Sequence, residues 1–198
     1  MGLKNNGMSL FLLDKVKDNK DLFAKRVYVI SELLGIVPDW LMIVMNFESG
    51  LNPKAVNQAS GATGLIQFMP STAQGLGTTT TALLDMSNVE QLTYVYKYLA
   101  RYAGRIDSLT DLYLCVFYPA AVGKDDNYQL GGAKVAQQNS IFDSNKDGVL
   151  TKSEVTKYID GYAQRIGYAG VTKRTNALKK KLMILGICTL TILLTIKD

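Results

Sequence analysis

One helix constrains the fold of this chain more than any other feature. Pro38 sits where a first helical turn tolerates it and Gly50 stands just past the last periodic residue, so Pro38 to Ser49 reads as a helix of about three turns. From Trp40 to Met45, and again at Phe47, its residues are apolar almost all round. A helix of that kind belongs at the centre of a domain, with other elements packed about it. Glu48 then breaks the pattern. Leu41, Val44, Met45 and Glu48 fall at i, i+3, i+4 and i+7, so a carboxylate occupies a position that periodicity assigns to a buried side.

The flanking segments read as further helices. Apolar positions recur at helical spacing from Leu12 to Leu34, with Gly35 placed to end that helix. Residues 52 to 64 form a loop rich in Asn, Ala, Ser and Gly, Pro70-Ser71-Thr72-Ala73 starts a helix, and Thr78 to Thr81 is a connector. Ser87 with Glu90 makes a capping box ahead of a helix through Leu92, Val95, Leu99 and Tyr102, and Leu109 to Val116 is a buried helix. Tyr94, Tyr98 and Tyr102 share one stripe, which packing explains better than sugar stacking. No stretch alternates strictly enough for a major sheet and no repeat appears, so the expected fold is mainly α.

Composition narrows the chemistry. A chain of 198 residues, 47% hydrophobic with only 4 Pro, is globular and long enough for one ordinary domain. Its two cysteines, Cys115 and Cys188, sit in apolar runs, so no disulfide framework is expected. There is no His, which excludes His-based metal sites, Ser-His-Asp triads and Cys-His dyads and leaves acid–base work to carboxylates. The net charge of +5 suits an anionic partner such as a cell-wall polymer or a membrane, and part of the excess lies in Lys173, Arg174 and Lys179 to Lys181.

The strongest constellation is Glu48-Ser49-Gly50-Leu51-Asn52-Pro53, followed by Ser60-Gly61-Ala62-Thr63-Gly64-Leu65-Ile66-Gln67-Phe68-Met69-Pro70. It resembles the catalytic core of the lysozyme-like lytic transglycosylases of the SLT type, in which a helix ends in Glu-Ser and a later Gly-Leu-Met-Gln segment lines the sugar groove. A third motif of that family, Ala-Tyr-Asn-Ala-Gly, looks like Phe117-Tyr118-Pro119-Ala120-Ala121, with Pro119 in place of the Asn. The resemblance spans roughly residues 25 to 125. It implies cleavage of the β-1,4 bond between N-acetylmuramic acid and N-acetylglucosamine in peptidoglycan, with Glu48 catalytic and Ser49, Gly64, Gln67 and Tyr118 on the substrate side.

The residues themselves agree. Glu48 has an apolar helix behind it and lies in its last turn, where the negative helix end disfavours a second negative charge. Both effects raise its pKa, as a general acid toward a glycosidic oxygen requires. No motif marks a second carboxylate; Asp85, Asp107 and Asp111 are candidates by type, but nothing in the sequence places them in the groove. The resemblance therefore implies that one Glu serves as acid and then as base, giving a 1,6-anhydromuramoyl product. Two other readings stand beside it: a lysozyme-type hydrolase of the same bond, and a non-catalytic peptidoglycan-binding or virion structural protein.

A second motif runs from Asp143 to Glu154. It fits the twelve-residue EF-hand loop, with Asp143, Asn145, Asp147, Thr151 and Glu154 as side-chain ligands, the Val149 carbonyl at the seventh position and Gly148 at the sixth. A structural Ca²⁺ is expected there, and no cofactor is expected for catalysis. Because no second loop is present to pair with it, the site reads as a clamp rather than a sensor; a calcium-dependent interaction module anchored in a membrane is the competing reading.

Residues 182 to 196 carry no charge and follow three lysines. As a helix they would span about 22 Å against the roughly 30 Å of a hydrocarbon core, so they are expected to contact a membrane or to pack within an assembly. A positive-inside orientation would leave the enzyme away from peptidoglycan. With its polar start and a run, Leu10 to Leu13, too short for a signal-peptide core, classical Sec export is not expected. The expected layout is an N-terminal helical extension (1–24), a lysozyme-like core (25–130), a calcium loop with its closing helix (131–170), and a basic linker with a hydrophobic tail (171–198). The expected setting is a virion or the bacterial envelope, with glycan strands, virion or oligomer contacts as partners and no nucleic acid.

Overall fold

The all-round apolar helix is where periodicity places it. In the computed structural model, which describes residues 10–170, 172 and 173, helix α2 (Pro38–Ser49) buries every residue from Trp40 to Asn46. Gly50 closes it in the left-handed conformation (φ +64°), its N–H donating to Asn46 O. Helix α1 (Lys20–Leu34) precedes α2, and α3 (Pro70–Gly75), α4 (Thr80–Asp85), α5 (Asn88–Leu99), α6 (Leu109–Phe117), α7 (Ala133–Gln138) and α8 (Lys152–Arg165) follow. The chain is mainly helical, as expected. Single antiparallel bridges at Val56 with Thr63 and Thr63 with Phe68 shape the loop between α2 and α3.

By packing, the chain divides into two compact units. One comprises the residues up to Ser31 with Val37–Tyr98; the other comprises Glu32–Ile36 with the residues from Leu99 onward. The division falls within the span 25–130 expected as a single core.

In the first unit, Phe23, Val27, Trp40, Leu41, Met42, Met45, Leu65, Phe68, Leu83 and Val95 are almost fully buried. Each large apolar side chain so buried contributes roughly 1.5–3 kcal/mol relative to exposure. The helix expected from Leu12 onward begins only at Lys20. Leu12 (φ +63°) and Asn19 (φ +53°) both take left-handed backbone, which interrupts a helix, and a single 3-10 turn (Leu13–Lys15) replaces the first part. That segment is held against α2 instead: Phe11 N–H donates to Asp39 Oδ1 (2.9 Å) and Lys15 Nζ to Asn46 Oδ1 (3.3 Å). The expected connector 78–81 contains the start of α4, capped by the Thr79 hydroxyl, which accepts from Ala82 N–H. The Ser87–Glu90 capping box forms, with Ser87 N–H and Oγ both donating to Glu90 Oε2 (2.7 Å).

In the second unit, α6 packs against α8. Leu109, Leu112, Leu114, Val155 and Ile159 are almost fully buried there, and Tyr113, Phe117, Phe142 and Tyr158 form a chain of ring contacts 4.9–5.9 Å apart. Cys115 lies inside this core with its Sγ donating to Asp111 O (3.2 Å), its pKa pushed up to about 12 by burial and the nearby Asp111 charge. Among the described residues, no single helix is long and apolar enough to cross a membrane. The tail 182–196 and Cys188 lie outside the described residues.

Candidate active site

Glu48 occupies the last turn of α2, one residue before the helix ends, and its side chain is partly buried. Burial raises its carboxyl pKa from the usual value to about 7. Desolvation is the cause of this rise, and a carboxyl with a pKa near neutrality is suited to general acid–base work.

The next residue fixes where the substrate-side loop lies relative to this acid. Ser49 Oγ lies 2.9 Å from both Met45 O and Leu65 O, so its hydroxyl ties the end of α2 to the Gly64–Phe68 turn. Expected on the substrate side, Ser49 thus spends its one proton within the protein and acts as a positioning residue.

That turn is a compact hydrogen-bonded knot. Thr63 and Phe68 exchange both backbone bonds (3.0 and 2.8 Å), Gly64 N–H donates to Ala55 O, and Gln67 N–H returns to Gly64 O. Gly64 has φ +82°, and a Cβ added there would lie 2.5 Å from Gln91 Oε1, so backbone and space both demand glycine. Gln67 also takes left-handed backbone (φ +53°), and its Nε2 donates to Gly64 O (3.1 Å) and more weakly to Ala55 O (3.4 Å). The donor end of its amide is held within the turn, which leaves Oε1 as the end that can meet a ligand.

Gln91 is a site-building residue that sequence reasoning missed. It is fully buried on α5, accepts from Leu65 N–H (3.0 Å), and donates to Pro53 O and Leu83 O (both 2.7 Å). One side chain thereby joins both halves of the Glu48-to-Gln67 loop to the start of α4–α5. The signal was available: Gln91 stands on the stripe of Val95 and Leu99, the same kind of polar intrusion that singled out Glu48. On that helix Tyr98 packs edge-on against Phe68 at 6.3 Å, in keeping with the packing role expected of the tyrosine stripe.

A cavity of about 540 Å³ opens beside the end of α2, walled by Lys15, Asn19, Leu51, Asn52, Lys54 and Ser87. Glu48 and Gln67 are not among its walls, so it is separate from the acid.

Tyr118, the remaining residue expected on the substrate side, belongs to the second unit. It caps α6 and precedes a 3-10 turn (Pro119–Ala121) in which Pro119 takes the first position, where a missing N–H costs nothing. Its hydroxyl lies beside Gly131, where an added Cβ would come within 3.5 Å of it. Asp111, a second carboxylate by type, is committed elsewhere in this unit. It takes Lys152 Nζ at 2.7 Å in a buried ion pair and also accepts from Asp107 N–H, Ser108 Oγ and Gly123 N–H. A carboxylate so engaged is a structural anchor rather than a second acid or base.

The loop Asp143 to Glu154 also lies in the second unit, ahead of α8. Within it Gly148 N–H donates to Asp143 Oδ2 (3.0 Å), and Lys146 (φ +60°) and Gly148 (φ +77°) take left-handed backbone. Thr151 stands at the N-cap of α8. It forms a full capping box with Glu154, whose Oε2 accepts from Thr151 N–H and Oγ1.

No solved structure matches the chain. Residues 30–117, from the end of α1 through the end of α6, are similar to the family described as the Transglycosylase SLT domain, whose members are lytic transglycosylases acting on peptidoglycan.

Proposed function

We propose that this protein cleaves the β-1,4 bond between N-acetylmuramic acid and N-acetylglucosamine with Glu48 as its single acid–base group. The observation that carries the reading is the carboxyl at the end of the apolar helix α2, raised by burial to about 7. At neutral pH its protonated form donates to the glycosidic oxygen as the bond to the muramoyl C1 breaks. The resulting carboxylate then takes the proton of the muramoyl 6-hydroxyl while that oxygen attacks C1. The product is a 1,6-anhydromuramoyl end, the proton returns to Glu48, and no water is consumed.

Gln67 Oε1 is the substrate-facing acceptor in this reading, and Gly64 permits the turn that carries it. In this reading the protein works at the bacterial envelope, as part of a virion or after export, and the basic segment before the tail suits that anionic surface.

The test is digestion of purified peptidoglycan by the full chain and by Glu48→Gln, with products separated by mass. Soluble anhydromuropeptides from the wild type and none from the variant support the proposal. Reducing-end products point to a hydrolase, and binding without products points to the structural protein.

A further inference from the structure

We infer that the Asp143–Glu154 loop is a Ca²⁺ site that clamps the start of α8 to the segment before it. Two buried oxygens carry the argument. Glu154 is 9% exposed, and with Oε2 held by the Thr151 cap its Oε1 is shielded from solvent and has no hydrogen-bond partner. Asp143 shows the same division: Oδ2 accepts from Gly148 N–H, while Oδ1 is shielded and has no partner. A carboxylate oxygen removed from water without a donor is costly. Here one stands at each end of a single twelve-residue loop, where a cation would satisfy both.

The donor set selects the ion. Asp143, Asn145, Asp147, Glu154 and the Val149 carbonyl offer only oxygen, with three formal negative charges, which suits a hard cation of high coordination number. Thr151, expected as a ligand, holds Glu154 in place through the capping box. Among the described residues no three acidic side chains are already gathered as a metal cluster. Asp147 is engaged within the loop, its Oδ1 accepting from Val149 N–H (2.8 Å) and its Oδ2 from Asn145 Nδ2 (2.9 Å), so a cation taking Asp147 competes with these donors.

The outgoing arm of the loop has the pairing partner that the sequence did not reveal. Leu130 N–H donates to Leu150 O (2.7 Å), Lys152 N–H to Tyr128 O and Ser153 N–H to Asp126 O (both 2.9 Å), with Gln129 and Thr151 forming an antiparallel bridge. A plain extended segment thus takes the place of a second loop. Lys152, next along, donates to Asp111 Oδ1 and to Lys124 O (both 2.7 Å). An ion joining Asp143 to Glu154 therefore fixes the N-terminus of α8 to residues 126–130 and, through Lys152, to α6.

The experiment is calorimetric titration of the full chain, stripped by chelator, with CaCl₂ and separately with MgCl₂, alongside melting curves. The expected result is one Ca²⁺ per chain and a melting temperature higher by roughly 5–10 °C at Ca²⁺ near a hundred times its Kd. Asp143→Ala and Glu154→Gln should abolish both; Gln keeps the capping box, so Glu154→Gln separates loss of the ion from loss of the helix cap. No heat and no shift with Ca²⁺ would overturn the inference. So would an undiminished shift in Glu154→Gln, or an equal shift with Mg²⁺.

Discussion

Replacing Gly64 by alanine tests how the turn opposite Glu48 is built. An alanine forced to φ +82° costs about 1–2 kcal/mol in backbone strain. Its methyl would lie 2.5 Å from Gln91 Oε1, so the amide must withdraw and release Leu65 N–H. A buried donor left without its acceptor costs roughly a further 1–3 kcal/mol. The sum, about 2–5 kcal/mol, corresponds to a fall in melting temperature of roughly 5–15 °C for a chain of this size. Urea denaturation of Gly64→Ala, Gln91→Ala and the double variant separates the two contributions. With Gln91 shortened, Gly64→Ala should cost only the backbone part, so the cycle should show a coupling of at least about 1 kcal/mol. An equal cost of Gly64→Ala in both backgrounds would refute the clash. A cost below about 1 kcal/mol in the wild type would refute the strained turn altogether.

Three further outcomes are expected. A carboxyl held near 7 in the folded state and near 4.5 when unfolded binds its proton more tightly in the folded protein, so its contribution to stability is fully present below about pH 4.5 and lost as pH rises through about 7. Glu48→Gln should accordingly stabilise the protein at pH 8, by up to about 3 kcal/mol, and change little at pH 4, as urea titrations at the two pH values will show. Wild-type activity should decline above about pH 7, where the general acid is lost, and a profile flat from pH 6 to 9 would speak against Glu48 as proton donor. Asp111→Ala strands Lys152 in the core of the second unit and should cost about 3–5 kcal/mol by denaturation, with Lys152→Met in the same background recovering much of it.

The parts of this structure legible in the sequence are those governed by local rules. Helix α2 and the exceptional position of Glu48 follow from periodicity, and the Ser87–Glu90 cap follows from three-residue spacing. Thr151 and Glu154 show the limit of such rules. Their spacing satisfies both a capping box and the last positions of a metal loop, and only the structure shows the hydroxyl engaged in the cap. Other features depend on residues far apart in the chain. Lys152 reaches Asp111 across 41 positions and Gln91 reaches Pro53 across 38, and nothing in either local pattern names the partner. The break in the first helix has a similar origin. Leu12 and Asn19 accept left-handed backbone because residues 10–16 bury Leu10, Leu12 and Val16 and bind Asp39 and Asn46 of α2, a balance that periodicity cannot weigh.

The central claim is that one carboxyl breaks the glycosidic bond without water. Digesting purified peptidoglycan with the full chain in water enriched in heavy oxygen, and weighing the muropeptides, tests it directly. The account predicts muramoyl ends one water lighter than a hydrolysis product, free of heavy oxygen, and absent with Glu48→Gln. Reducing ends carrying the heavy isotope, or anhydro ends formed equally by Glu48→Gln, would contradict it.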